Sequence, residues 1–204
     1  MSEKVQSSLK LVQTGELAPA EIVIGLTTDE IDEAVGLWSP YLKKQIDELG
    51  ANPDHSHWDW SLKARSIRGL QGYSVVGIRA DGDLQGMLLW DDIETRAKHP
   101  SQLGRELVYV HYLSTAPWND AELTDTPKYR GAGSQLLAVS VAHSVEQEFK
   151  GRVGLHALSK SENFYREKCR MADLGEDAAH QNLRYFEFTE ELATVFLNET
   201  GVRL

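Results

Sequence analysis

Apolar positions along the chain switch between a two-residue and a helical period, and the switches mark its elements. Glu21-Ile-Val-Ile-Gly-Leu26 is a β-branched run with the pattern of a strand. Thr27 and Glu30 stand in capping-box form, and Ile31, Val35 and Trp38 then fall at helical spacing, which predicts an amphipathic helix over 28–39. Ser39-Pro40 reads as a restart, with Ser as cap and Pro at the first helical position. The second helix carries Tyr41, Leu42, Ile46 and Leu49 and ends at Gly50. Residues 51–71 read as a loop followed by a short helix. Strands are expected over 72–78 and 84–93, joined by an Asp81-Gly82 hairpin turn. Residues 94–105 are charged, hold Pro100 and Gly104, and read as a loop. Leu107-Val-Tyr-Val-His-Tyr-Leu113 is the most strand-like run of the chain.

After a polar stretch, Arg130-Gly-Ala-Gly-Ser134 opens a helix with Leu137, Val141, Val145 and Phe149 on one stripe, stopped by Gly151. A strand over 152–158, a short helix over 161–171, a strand over 183–188 and a last helix capped by Thr189 complete the order. Residues 1–19 are polar and aperiodic and read as a loosely ordered arm. The rest, 20–204, reads as a single mixed α/β domain, a central mixed sheet of about six strands flanked by helices.

Composition narrows the function. Among 204 residues, 21 Lys and Arg face 31 Asp and Glu, a net charge of −10. An acidic surface argues against a protein that grips nucleic acid by its phosphates and favours a cationic or amine-bearing small partner. No apolar run reaches the ~18 residues of a membrane span, and the N-terminus has no apolar signal core. With one cysteine, Cys169, an intrachain disulfide is impossible, and a reducing cytoplasmic setting is expected.

The chemistry points to residues 107–171. Gly131 and Gly133 open a helix, where N–H groups and the positive end of the dipole attract phosphate, and Lys128 and Arg130 add charge. A P-loop would end in Gly-Lys-Ser/Thr, but Gly133-Ser134-Gln135 stands here. A dinucleotide loop would need a small residue at Leu136 and would follow its strand directly. Both are excluded.

Lys128-Tyr-Arg-Gly-Ala-Gly-Ser-Gln-Leu-Leu137 resembles the acetyl-CoA loop of the GNAT superfamily of acyl-CoA-dependent N-acyltransferases. Leu113-Ser-Thr-Ala-Pro117 is similar to the family's strand end that pairs with the pantetheine arm, and Asn163-Phe-Tyr165 to its Asn-x-x-x-Phe-Tyr helix. The resemblance spans roughly residues 20–190. It implies a GNAT-like fold and direct acetyl transfer from acetyl-CoA, as co-substrate, to an amine of a small molecule, peptide or protein, with no metal. It places Leu113, Ser114, Thr115, Lys128, Tyr129, Arg130, Gly131, Ala132, Gly133, Ser134 and Asn163 at the cofactor. It makes Tyr165 the acid that protonates the leaving thiolate. A homodimer is compatible with it. Three departures stand out: Lys128 for Gln or Arg, a long connector over 118–127, and Arg170-Met171 in place of Gly-Phe.

The base is read from the residues. An amine of pKa ~10.4 must lose a proton before attack. His111, on the same strand face as Tyr109 and Leu113, suits near-neutral proton transfer; the alternative is a packed histidine. His55-Ser-His57-Trp-Asp59-Trp60 admits a structural, an acceptor-binding or a metal reading. Cys169, His143 and His156 read as structural, and Asp91-Asp92 as a solvated face. Two rivals remain: a non-catalytic acyl-CoA-binding or regulatory module on the same fold, and a metal enzyme centred on His55, His57 and Asp59.

Overall fold

A computed structural model describes residues 3–50 and 53–202. In chain order its strands are β1 (Glu3–Leu11), β2 (Leu17–Ile24), β3 (Tyr73–Ala80), β4 (Asp83–Asp91), β5 (Val108–Thr115), β6 (Tyr129–Arg130), β7 (Val153–Ala157), β8 (Ala172–Asp177) and β9 (Leu183–Glu187). The helices are α1 (Thr28–Leu49), α2 (Trp60–Ser66), α3 (Ala132–Glu146) and α4 (Glu190–Thr200). The strands join in one mixed sheet in the order β6-β1-β2-β3-β4-β5-β7-β9-β8, with β5 and β7 parallel.

The chain divides into two compact units. The first takes the segments up to Leu70, Ser74–Leu88 and Leu113–Leu136. It buries Ile22, Val23, Ile31, Val76, Ile78, Met87 and Leu88 almost completely, each contributing about 1.5–3 kcal/mol of hydrophobic stabilisation. The second takes Gln71–Tyr73, Leu89–Tyr112 and the segment from Leu137 onward, with Val108, Val139, Leu155, Phe186 and Phe188 inside. Among the described residues, no helix is long and apolar enough to cross a membrane.

Several expectations are corrected. Among the described residues the sheet has nine strands, not about six. Residues 3–11 of the expected loose arm form β1, which pairs with β2 from Glu3↔Ile24 to Lys10↔Leu17; residues 1 and 2 lie outside the described residues. Ser7 interrupts the apolar alternation of β1 because its hydroxyl bonds the Gln135 side chain (3.0 Å) rather than packing. The two helices expected on either side of Ser39-Pro40 are one, α1, with Pro40 inside it. A proline ring crowds the carbonyl four residues back, and Gly36 stands there. The predicted capping box at Thr27 and Glu30 is present, with both reciprocal bonds made. Residues 51 and 52 of the expected loop, and 203 and 204 of the expected domain, lie outside the described residues. The helix expected over 161–171 is present but ends at Lys168: residues 159–168 are helical, and their last part, Phe164–Lys168, is a π-turn closed by Cys169 N–H to Phe164 O (2.9 Å). The stripe on α3 ends early, leaving Val145 half exposed.

Candidate active site

In the first unit, the glycine loop is set by what precedes it. Ala116 N–H bonds Gln85 O (2.9 Å), and the buried Gln85 side chain accepts from Trp118 Nε1 and Asn119 Nδ2, both at 2.9 Å. Asn119 Oδ1 then accepts from Tyr129 N–H (2.8 Å), and Lys128 N–H donates to Trp118 O (3.2 Å). The long connector over 118–127 is thus pinned to β4 and delivers the chain to the loop in a fixed direction. Gln85 was invisible to motif reading, because its partners are a strand and a connector distant in sequence.

Lys128 and Tyr129 are committed elsewhere than expected. Lys128 Nζ lies 3.0 Å from Asp81 Oδ2, and the Tyr129 hydroxyl donates to the same oxygen (2.6 Å). With their N–H groups also taken, neither offers the loop a donor, and the candidate cradle narrows to Arg130–Ser134. Gly131 adopts φ +99°, a conformation costly for any residue with a Cβ. A Cβ built there would meet open space, so room exists over the loop for a ligand. Gly131 O accepts the Gln135 N–H (2.9 Å) as α3 begins at Ala132. The N–H groups of a first helical turn have no carbonyl partner within the helix, which makes them anion donors.

Leu113, Ser114 and Thr115 end β5. Ser114 is buried, and its Oγ accepts from Trp60 Nε1 (2.9 Å). This anchors the His55–Trp60 segment: Trp60 braces the strand end. Asp59 caps α2 through Leu62 N–H (2.8 Å), and His55 lies 3.7 Å from Asp120. Burial draws the His55 imidazole below its ordinary pKa. Among the described residues, His55, His57 and Asp59 are not grouped within ligand distance of one another, and Asp59 is engaged in the α2 cap.

In the second unit, β5 and β7 run in register from Val108↔Val153 to Val110↔Leu155, and His111 follows. His111 Nε2 lies 2.9 Å from Asp91 Oδ2. Its ring stacks on Tyr73 (5.6 Å between centroids) and meets the edge of Tyr109 (4.7 Å). Asp91, read as a solvated residue, is fully buried; its other oxygen accepts the N–H groups of Ile93 (3.2 Å) and Glu94 (2.8 Å). Burial would raise its carboxyl, but the bonds from His111, Glu94 and Ile93 outweigh it and hold the pKa below the usual range. An anionic Asp91 accepts an N–H from Nε2, so the Nδ1 lone pair of His111 is the basic one. Asp92 is likewise paired, with His143 Nε2 at 2.9 Å.

Tyr165 lies in the π-turn, buried against Phe186 and Phe164. Burial, with Cys169 adding a smaller effect, pushes its hydroxyl well above the ordinary phenol range, so it holds its proton at neutral pH. Burial also pushes the Cys169 thiol up to about 12, which makes it inert as a nucleophile. Asn163 Oδ1 accepts from Arg166 Nη1 (3.1 Å).

No family model matches the chain. No curated protein sequence matches it. Solved structures do match in shape. An uncharacterized protein of Bacillus halodurans aligns over 96% of this chain and 95% of its own, with TM-score 0.56 and 10% identity. RimJ of Mycobacterium smegmatis, in complex with CoA-disulfide, aligns over 98% and 95%, with TM-score 0.53 and 11% identity. FeeM, an N-acyl amino acid synthase from uncultured soil microbes, aligns over 88% and 96%, with TM-score 0.54 and 13% identity. The mixed sheet, the glycine loop opening α3 and these alignments together give the chain the fold of the GNAT superfamily.

Proposed function

We propose that the chain is an acyl-CoA-dependent N-acyltransferase that moves an acetyl group from acetyl-CoA directly to a primary amine. The observation that carries this reading is the loop at Gly131: positive φ, open space above it, and a helix N-terminus behind it, on this fold. Gly131–Ser134 hold the pyrophosphate through backbone N–H groups, with the Arg130 side-chain charge beside them; the Arg130 N–H itself is spent in the pairing of β6 with β1. Backbone groups of Leu113–Thr115 pair with the pantetheine arm, and Asn163 contributes to holding the cofactor.

The ammonium form of the acceptor gives a proton to Nδ1 of His111, which Asp91 keeps in the correct tautomer. The amine nitrogen attacks the thioester carbonyl, the C–S bond breaks with its electron pair leaving on sulfur, and the nitrogen, cationic after attack, releases its second proton to solvent as the amide forms. Tyr165, whose hydroxyl burial keeps protonated until then, gives its proton to the thiolate and regains one from solvent. Transfer is direct, since the one cysteine is buried and protonated.

The test is release of free CoA thiol from acetyl-CoA across a panel of polyamines, aminoglycosides, amino acids and peptides. At least one amine should support turnover. Tyr165→Phe should cut it by about 10²–10⁴, the usual worth of a positioned acid or base, while leaving acetyl-CoA affinity near wild type. Tight acetyl-CoA binding with no thiol release from any amine would replace this reading with the non-catalytic module.

A further inference from the structure

The second unit gathers three ligand-bearing side chains that acyl transfer does not use. We propose that His156, Asp177 and His180 form a three-ligand site for a divalent transition metal of the zinc class. His156 stands on β7; Asp177 ends β8 and caps the turn Ala178–His180 by accepting the Ala179 N–H (2.9 Å). His156 Nε2 and His180 Nδ1 each lie 3.0 Å from Asp177 Oδ2, and the three ligand atoms fall within 4.8 Å of one another. Zinc bonds of about 2.0–2.2 Å at tetrahedral angles separate donors by about 3.3 Å. Each histidine–aspartate separation therefore needs to open by a few tenths of an ångström, and the half-exposed His180 ring, now stacked on His156 at 3.9 Å between centroids, must turn so that both nitrogen lone pairs converge. Two imidazoles and one carboxylate suit zinc and its neighbours and not magnesium or calcium, which take oxygen ligands. The fourth position would fall to water.

The surroundings fit a ligand set. His156 Nδ1 lies 2.6 Å from the Tyr109 hydroxyl, which can donate or accept. Without metal, Nε2–H donates to Asp177 and the hydroxyl donates to Nδ1. With metal on Nε2, the proton sits on Nδ1 and donates to the hydroxyl oxygen, the usual second partner of a ligating histidine. The His156 side chain is 4% exposed and that of His180 is 48%, so the site is fixed on one side and open to solvent on the other. Lys98 Nζ lies 2.5 Å from the same Asp177 oxygen and is 39% exposed. Its ammonium neutralises the carboxylate oxygen that the cation would bind, so the two compete for it. Filling the site would tie the turn after β8 to β7. The inference does not rest on the acyltransferase reading.

Zinc chloride titrated calorimetrically into the chelator-stripped full chain should bind one-to-one and raise its thermal midpoint, and magnesium chloride should do neither. Cobalt should give the absorption of a four-coordinate site. His180→Ala and Asp177→Asn should weaken zinc at least tenfold, His143→Ala should leave it unchanged, and Lys98→Ala should tighten it. His180 is exposed, so its loss will not unfold the chain. Absence of zinc binding, binding undiminished in both His180→Ala and Asp177→Asn, or weaker binding in Lys98→Ala would overturn the assignment.

Discussion

Asp91→Asn isolates the claim that a buried carboxylate sets the working nitrogen of His111. Asn matches Asp in shape, so no cavity opens. Its oxygen can keep the Ile93 and Glu94 N–H groups, which leaves its NH₂ facing Nε2 of His111, now 2.9 Å from Oδ2. Two donors cannot face each other, so the imidazole moves its proton to Nδ1 and turns its lone pair toward Asn. The network survives with neutral bonds in place of charge-assisted ones, a loss of about 1–2 kcal/mol at neutral pH. Because the native carboxyl is held below its ordinary range, its stabilisation is full above the unfolded value near ~3.9 and is lost as pH falls through the lower native value. The wild type should therefore exceed the variant most at pH 7 and least in acid. Urea unfolding across that range measures the gap, and proton–nitrogen correlation spectra of His111 report the tautomer directly. Turnover should fall by about 10²–10⁴. An unchanged tautomer, or a stability gap independent of pH, would refute the reasoning.

Other substitutions test the packing that holds the site. A Cβ on Gly154 would overlap the Tyr185 hydroxyl, so Gly154→Ala should cost about 1–3 kcal/mol in urea unfolding, and Tyr185→Phe in the same chain should recover part of it. Trp60→Phe loses the bond to Ser114 Oγ and should lower stability by about 0.5–1.5 kcal/mol in thermal unfolding. Glu187, fully buried, accepts from Lys98 N–H, His99 N–H, Gln102 Nε2 and the Tyr185 hydroxyl. Glu187→Gln turns an NH₂ toward one pair of those donors, costs about 1–3 kcal/mol, and should speed amide exchange at Lys98 and His99.

The elements legible in the sequence were those whose signal is local. The Thr27–Glu30 box, the Asp81-Gly82 turn, the Thr189 cap and the run into β5 each announce themselves within a few residues. What stayed hidden depends on distant partners. β1 carries serines where a strand should be apolar, because Ser7 faces Gln135 across 128 positions. β8 is a charged edge strand with a register shift between Asp173 and Glu176, and charge on an edge reads as loop. Asp91 looked like surface because the residue that makes it useful, His111, lies 20 positions on. The Gly131 loop was visible because a glycine at positive φ before a helix leaves a sequence mark. The engagement of Lys128 by Asp81 was not.

Acetyl-CoA binding tests the acyltransferase reading most directly. Calorimetry of the wild-type chain should show saturable one-to-one binding of acetyl-CoA and of desulfo-CoA, since the loop holds the pyrophosphate and not the sulfur. Gly131→Glu, which places bulk and negative charge over the loop at φ +99°, should abolish both while the chain stays folded. A wild-type chain that binds neither, or a folded Gly131→Glu chain that binds both as well as wild type, would contradict it.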